Sequence, residues 1–544
     1  MDMKVAELFV RSLENEGVRW IFGVPGEENL DLIDALRNSS IQFVVTRHEQ
    51  GAAMMASAVG KITGIPGVCL STLGPGATNL VTGVANANMD HAPLVAISGQ
   101  SGLGTFHKES HQYLDLEALF QPVVKWRTTI HQPESVPEII RKSFRTAASE
   151  KPGAVHISLP EDVAAMEADG RPLPWNVVSQ GLASPSEMEQ AVQQVNRAKT
   201  PVILAGNGVS RAGGEEGIRK LAEKLQAPVL ETFMGKGSLP CSHPLSLPMG
   251  LYPDDLPLNA ALRADLIIAV GYDMVETPPE MWNSKGVPVV HIDSQQPEVD
   301  AHYPVSATVV GGIPSNLHRL AEAVEPKEKD PYWESLHERI WKELRSGEKD
   351  DSYPVKPQRF LLDLREVMNP EDRLLVDVGA HKVWAGRLFP CYHPQTCFIS
   401  NGLASMGIAL PGAIGVKLAD PGRKVAALCG DGAFQMNVQE LETAVRLELP
   451  IVIVVWRDGG YGLIEWEQEV HFGRSAHVRF GNPDLVKLAE AYGARGYRVE
   501  RTEELQPLLE RAFKQDGPVV IDCPIDYGEN MKLTQRLRGH DKRS

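Results

Sequence analysis

The chain is short of cysteine, of positive charge and of long apolar runs. Six cysteines fall among 544 residues, at positions 69, 241, 391, 397, 429 and 523, and none belongs to a Cys-x-x-Cys pair. Such scattering is neither a disulfide framework nor a zinc site, and it points to a reducing compartment. Lys and Arg number 54 against 70 Asp and Glu, a formal charge of −16. Nucleic acid and anionic membranes both need concentrated Lys and Arg, so neither is expected as the main partner. No uninterrupted apolar run reaches the roughly 18 residues of a membrane span. Asp2, Lys4, Glu7 and Arg11 at the start are not the residues of a signal peptide. What is present, 43% hydrophobic and 23% charged residues, is the composition of folded domains rather than of disorder. At roughly 150 residues per domain, the length allows three or four. The expectation is an acidic, multidomain cytoplasmic protein.

Short β-branched runs alternate with longer amphipathic stretches, the pattern of buried parallel strands with crossover helices. They fall in three blocks. The first holds expected strands at 43–46, 68–71, 94–97 and 155–158; the second at 201–204, 266–270 and 289–293; the third at 374–377, 425–428, 451–455 and 519–522. The fold class is therefore α/β, with three doubly wound parallel-sheet domains. A breaker-rich connector, 169–174, separates the first two blocks. The stretch 326–357 is dense in Lys, Glu and Asp and reads as a solvated linker with one amphipathic helix around 333–344. Gly153-Ala154-Val155-His156-Ile157-Ser158-Leu159-Pro160-Glu161-Asp162 aligns without gaps to Gly517-Pro518-Val519-Val520-Ile521-Asp522-Cys523-Pro524-Ile525-Asp526. Gly, Val, Ile, Pro and Asp coincide, which suggests a duplicated outer domain with a ligand between the two copies.

In the third block the run 425–428 continues through Cys429 into Gly430-Asp431-Gly432-Ala433-Phe434. A helical pattern with Val438, Leu441, Ala444, Val445 and Leu447 on one face follows. A glycine turn between a buried strand and a helix start presents bare N–H groups that suit a phosphate. The Asp431 carboxylate would spoil such a site unless a cation sat between, and Mg²⁺ is the natural one, since it shares oxygen ligands with phosphates. A second ligand is expected from the next strand end, Trp456-Arg457-Asp458-Gly459-Gly460-Tyr461-Gly462. Asp458 supplies the carboxylate, and the glycines free the Gly460 carbonyl to point inward.

This constellation resembles the diphosphate–magnesium motif of the thiamine-diphosphate (ThDP) enzymes, and the resemblance covers nearly the whole chain. It implies a pyrimidine-binding domain (1–165), a middle Rossmann-like domain (188–325), the charged linker (326–357), a diphosphate-binding domain (358–530) and a C-terminal tail (531–544). By the same resemblance Asp431, Asp458 and the Gly460 carbonyl are the Mg²⁺ ligands. Gly430, Gly432, Ala433, Tyr461 and Gly462 surround the diphosphate, as does Gly379-Ala380-His381 after another strand. Family members often carry an Asn pair where this chain has Arg457-Asp458, and the second carboxylate is expected to tighten metal binding. Ser400-Asn401-Gly402-Leu403-Ala404-Ser405-Met406-Gly407 is similar to the wedge over which the cofactor bends. Met406 would separate the rings, the Ala404 carbonyl would accept from the aminopyrimidine, and Gly402 lies in the same turn. Glu49, in Arg47-His48-Glu49-Gln50-Gly51, matches the glutamate that hydrogen-bonds the pyrimidine nitrogen and relays the proton that starts catalysis. Family geometry puts that glutamate and the diphosphate site on different subunits, which implies a homodimer or homotetramer.

Within the family, Leu73-Gly74-Pro75-Gly76-Ala77-Thr78-Asn79, Ser98-Gly99-Gln100 and His107-Lys108-Glu109-Ser110-His111-Gln112-Tyr113-Leu114-Asp115 resemble the catabolic, flavin-independent acetolactate synthases. So do Glu440–Leu447 and Phe480-Gly481-Asn482-Pro483-Asp484. The implied reaction decarboxylates pyruvate and joins the two-carbon fragment to a second pyruvate, giving 2-acetolactate. Gln112, His111 and Gln100 are the candidates for handling substrate oxygens. Gly26 lies in the substrate pocket, and Trp466 caps the acceptor side. The resemblance of the His-Gln-x-Leu-Asp segment to the flavin-independent type implies that FAD is absent. Gly206-Asn207-Gly208 also lacks the third glycine of a dinucleotide fingerprint, and Asp293 lies far beyond the usual interval of about 20 residues, but the family's FAD does not depend on that pattern. Two other readings remain open. One is a related carboligase or decarboxylase with another acceptor, an amine or aldehyde, as in carboxyethylarginine synthases. The other is a non-catalytic paralogue, which would be expected to lose Glu49, Asp431 or Asp458; all three are present.

Overall fold

The computed structural model of the chain describes residues 3–174, 180–251 and 255–539. Three six-stranded parallel sheets carry it. The first contains β1 (Trp20–Gly23), β2 (Gln42–Val45), β3 (Gly67–Ser71), β4 (Leu94–Gln100), β5 (Trp126–Thr129) and β6 (Ala154–Pro160). The second contains β7 (Pro201–Ala205), β8 (Val229–Glu231), β9 (Ser246–Pro248), β10 (Leu266–Val270), β11 (Val289–Asp293) and β12 (Val305–Val310). The third contains β13 (Arg373–Val376), β14 (Cys397–Ile399), β15 (Val425–Gly430), β16 (Ile451–Arg457), β17 (Arg495–Arg498) and β18 (Val519–Pro524). Strands β1, β5, β8, β9, β12, β14 and β17 lie outside the expected runs, and β5, β9, β12, β14 and β17 are at sheet edges. There, half-exposed residues such as those of β12 and β17 interrupt the pattern.

The outer sheets share one strand order, β2-β1-β3-β4-β6-β5 and β14-β13-β15-β16-β18-β17. The ten-residue match between the blocks falls on the corresponding strands β6 and β18. The middle sheet runs β9-β8-β7-β10-β11-β12, the doubly wound order that reverses between its first and fourth strands. Among the described residues, no helix is long and apolar enough to cross a membrane.

Two seams join the domains. Helix Glu49–Thr63 of the first domain is buried along almost its whole length from Gly51 to Gly60 and packs on helix Ala409–Ala419 of the third. The backbones approach so closely that a Cβ on Gly415 would stand 2.3 Å from the Met55 carbonyl oxygen. The middle and third domains share one continuous apolar core, crossed by a buried two-pronged pair between Arg387 and Asp255. Residues 326–357 are not a solvated linker throughout. Helix Pro331–Leu344 buries Trp333, Leu336, Ile340 and Leu344 in that shared core, because its amphipathic stripe is wide enough to dock. The segment expected to be a tail from 531 continues helix Gly528–Gly539, and 540–544 lie outside the described residues.

Glu440 sits in the first–third seam, fully buried. It accepts from the backbone N–H groups of Arg47 (3.1 Å) and His48 (3.0 Å) and from the Thr443 hydroxyl (2.7 Å). Burial pushes its carboxyl up to about 7. The unfolded chain releases this proton near the ordinary value of about 4.3, so the folded state holds it over a wider range. The stability gained from that proton is present at acidic pH and is lost as pH rises through about 7, at up to ~1.4 kcal/mol per pH unit. The melting midpoint should accordingly fall as pH rises from mildly acidic to neutral, and Glu440→Gln should flatten that fall. An unchanged slope in calorimetric scans would show that Glu440 ionises normally.

Candidate functional site

The third sheet delivers two aspartates to neighbouring strand ends. Asp431 follows β15, is 1% exposed, and gathers four donors. Its Oδ1 accepts from the Gly432 N–H (2.8 Å); its Oδ2 accepts from the N–H groups of Gly459 (2.7 Å) and Asp458 (3.2 Å) and from Asn482 Nδ2 (2.8 Å). One carboxylate thus locks the ends of β15 and β16 to the loop that follows. Asp458 is half-buried, yet its Oδ2 is sealed from water with no hydrogen-bond partner. Burial, and then the negative charge of Asp431, push its carboxyl up to about 7. A Cβ on Gly462 would fall 2.8 Å from that oxygen, so the glycine keeps its approach clear. Gly460 pairs with Arg479 in an isolated antiparallel bridge in which the Phe480 N–H donates to the Gly459 carbonyl and the Tyr461 N–H to the Val478 carbonyl. The carbonyl of Gly460 itself therefore turns to the other side.

Two carboxylates and a carbonyl form a hard-oxygen donor set, which suits Mg²⁺. Among the described residues, no cluster of three or more His, Cys, Asp or Glu could hold a metal, so such a cation would need carbonyl and phosphate oxygens as well. A cavity of about 840 Å³ opens beside Asp458, walled by Gly462, Trp466, Phe480, Asn482 and Tyr527. Asn482 Oδ1 is also buried and unpartnered.

Helix Ala380–Leu388 begins behind β13, with Gly379 before it. His381 is 2% exposed, with its Nε2 unpartnered. Burial, reinforced by the charge of Lys382, depresses the ring to about 3, so it is neutral. The ring packs against the backbone of Gly379 and Gly430, next to the turn formed by Gly430, Gly432 and Ala433.

The loop 400–407 is held from three directions. Asp377, at the end of β13, accepts from the N–H groups of Gly407 (2.8 Å) and Ala409 (2.9 Å). From the first domain, Asn86 Oδ1 accepts from the Ser400 hydroxyl (3.0 Å) and the Ser405 N–H (3.1 Å), and Asp90 Oδ1 from the Gly402 N–H (2.9 Å). Lys382 Nζ donates to Asn401 Oδ1 at 2.9 Å. So fixed, Ala404 adopts a left-handed backbone with φ +55°, a conformation a residue with a Cβ takes only where its surroundings impose it. Met406 is half-buried beside it.

In the first domain, β2 leads to His48, whose Nδ1 accepts from the Gln50 N–H (3.1 Å) and caps helix Glu49–Thr63. Glu49 is 7% exposed. Its Oε2 accepts from Asn79 Nδ2 (2.9 Å), and its Oε1 lies against Gly76. The backbone of Gly26 packs on the Thr72 side chain, and its N–H donates to Asn29 Oδ1 (3.0 Å). Gln112, exposed and left-handed at φ +55°, rests on the Gly74 turn, with His111 exposed next to it.

Two expected site residues occupy structural positions. Gln100 is 2% exposed, with both amide atoms engaged: Nε2 donates to the Leu114 carbonyl (2.9 Å), and Oε1 accepts from the Ser101 N–H (3.0 Å). It is a strut for the loop that carries His111 and Gln112. Trp466 is 4% exposed and donates from Nε1 to the Thr534 hydroxyl (2.8 Å). It forms a wall of the cavity from within the core rather than a cap over it. Sequence reasoning missed Asn79, Asn86, Asp90, Asp377 and Asn482 as site residues. Only Asp377, at a strand end like Asp431, carried a local signal.

Residues 3–119 match the family described as thiamine pyrophosphate enzyme, N-terminal TPP binding domain; residues 188–320 match its central domain and 377–523 its C-terminal TPP binding domain. The chain is similar to the acetolactate synthase of Bacillus subtilis (strain 168), 36% identical over 97% of this chain and 94% of the relative. It is 35% identical to the catabolic acetolactate synthase of Raoultella terrigena, over 98% and 97% of the two chains. The acetolactate synthase isozyme 3 large subunit of Escherichia coli (strain K12) is 33% identical, over 98% and 96%. The chain belongs to the thiamine pyrophosphate enzyme family.

Asn86→Ala would leave the Ser405 N–H and the Ser400 hydroxyl without an acceptor, at a cost of about 1–3 kcal/mol to loop docking. The affinity for thiamine diphosphate should fall about tenfold or more in calorimetric titrations at fixed Mg²⁺. An unaltered affinity would mean that the loop is held without Asn86.

Proposed function

We propose that this thiamine pyrophosphate enzyme is a Mg²⁺-dependent carboligase that decarboxylates pyruvate and joins the two-carbon remainder to a second pyruvate, giving 2-acetolactate, without FAD. One observation carries the reading: a sealed, unpartnered Asp458 oxygen beside Asp431, at adjacent strand ends and next to a glycine turn. A buried carboxylate left in that state is costly unless a cation completes it. The relatives named as acetolactate synthases match this chain over nearly its whole length, which supports pyruvate as the substrate.

Thiamine diphosphate, when bound, supplies the electron sink that makes loss of CO₂ from a 2-oxo acid feasible. The rest falls to the chain. Asp431, Asp458 and the Gly460 carbonyl would hold Mg²⁺, and the N–H groups of Gly432 and Ala433 would receive a phosphate oxygen. Tyr461 and Gly462 flank the same turn. Ala404 and Met406, on the braced loop, would orient the cofactor rings. Asn79 occupies Glu49 Oε2, which leaves Oε1 to hold the relayed proton. His111 and Gln112 would meet substrate oxygens. Among the described residues, Glu49 and Asp431 share no hydrogen-bond partner within one chain. Apolar residues stand exposed beside both: Leu114 near the first, and Leu403, Met436, Tyr461 and Ile464 near the second. A homodimer that closes each half on the partner's complement explains both features.

Incubation with pyruvate, thiamine diphosphate and Mg²⁺ should yield acetolactate, scored as acetoin after acid treatment. Acetaldehyde alone would remove the carboligase assignment. Glu49→Gln should slow cofactor C2 proton exchange by about 10²–10⁴-fold while cofactor affinity stays within a few-fold. Normal exchange in that variant would exclude Glu49 as the relay.

A further inference from the structure

In doubly wound domains a nucleotide lies in the crevice beyond the two strands where the order reverses. Here those strands are β7 and β10, and the crevice is closed by backbone. The Gly208 N–H donates to the Gly271 carbonyl at 2.8 Å. A Cβ on either glycine would fall 2.6 Å from the Cα of the other. Nothing thicker than bare backbone fits between these strand ends.

Across the closed crevice lies Glu276, 6% exposed and used by no step of the reaction proposed above. One carboxylate oxygen, Oε1, accepts from the Asn207 N–H just beyond β7, and Oε2 accepts from the Met234 N–H just beyond β8, each at 3.1 Å. The Thr232 side chain adds a further hydrogen bond. Donors converging from two adjacent strand ends are what a phosphate would otherwise receive. The cations of this region are taken as well: Asp273, on the same loop, pairs with Lys151 (2.7 Å) and Arg211 (3.1 Å), and Arg211 also pairs with Glu150 (3.0 Å). The loop is fastened to both outer domains. Asn207 Nδ2 donates to the Asp90 carbonyl (3.4 Å), and Asn401 Nδ2 donates to the carbonyl of Glu276 itself.

We propose that the Glu276 carboxylate is a built-in anion that fills the phosphate position of the middle domain, so that this domain takes neither FAD nor another nucleotide. The inference rests on the flavin-free reading above and gives it a residue. Glu276 is thereby a cofactor-excluding residue, and the middle domain keeps the outline of a nucleotide-binding fold with its ligand position occupied from within.

The test uses the full chain saturated with thiamine diphosphate and Mg²⁺. Burial raises the Glu276 carboxyl to about 7, so measurements belong on the alkaline side of neutrality. Flavin absorbance after gel filtration in the presence of FAD reports retention. Melting midpoints titrated with inorganic phosphate, with acetate, or with chloride at equal ionic strength report anion binding. Wild type should retain no FAD and respond alike to all three salts. Glu276→Ala should melt several degrees lower and regain stability with phosphate or acetate beyond the chloride control. An alanine variant that gains no more from those anions than wild type overturns the built-in anion, whereas the flavin-free reading stands if wild type still retains no FAD. Wild type that retains one FAD per chain overturns both. Should the alanine variant fail to fold, Glu276→Gln decides: an amide nitrogen must then face an N–H donor, so a midpoint equal to that of wild type overturns the proposal.

Discussion

Every parallel strand that ends at a crevice leaves backbone N–H groups turned inward, out of reach of water, and each must find an acceptor. Much of this molecule follows from how that demand is met. Buried carboxylates do it repeatedly: Asp377 for the loop 407–409, Asp431 for the ends of two strands, Glu440 for Arg47 and His48, and Glu276 for Asn207 and Met234. A carboxylate accepting several N–H bonds is stronger and more directional than a neutral acceptor. It therefore sets loop geometry as well as satisfying it. Asp458, at another strand end, differs from these four acids in keeping an oxygen with no donor.

The same logic assigns the domains their parts. The two outer sheets share a strand order, yet their crevices differ in chemistry. The first offers a single capped glutamate backed by Asn79, and the third a pair of aspartates at a glycine turn. The loop 400–407 belongs to the third domain but takes its shape from Asn86 and Asp90 of the first. Similarly, the approach to Glu49 belongs to the first domain but is pinned by Glu440 of the third. Neither outer domain holds its own half-site in shape alone.

What could be read in advance divides along the range of the interaction. Asp431 and Asp458 were legible because each follows a continuous apolar run and stands among glycines, so local pattern names both strand end and turn. Glu49 was named only through the family resemblance, because a glutamate at a helix start is favoured there by the helix dipole and is locally unremarkable. Asn86, Asp90 and Glu440 were not legible. Their partners lie more than 300 residues away along the chain, and nothing near an Asn on a buried helix says which loop will come to it. Gln100 and Trp466 are ambiguous for a different reason. An amide or an indole suits a substrate pocket and a structural hydrogen bond equally, and only the observed partners, Leu114, Ser101 and Thr534, decide. The helix at 331–344 was visible as an amphipathic stripe, but its docking depended on a surface formed by two other domains.

The contact of Gly415 with the Met55 carbonyl has a bearing on distance. In the dimer proposed above, each chain lends one half to each of two active sites, and the seam between helices Glu49–Thr63 and Ala409–Ala419 fixes how far apart those halves stand. Side chains can usually adjust such a spacing by a methyl group at a time. Here backbone lies on backbone, so the interval has a floor and no graded settings. The two sites are spaced by a ruler with a single mark.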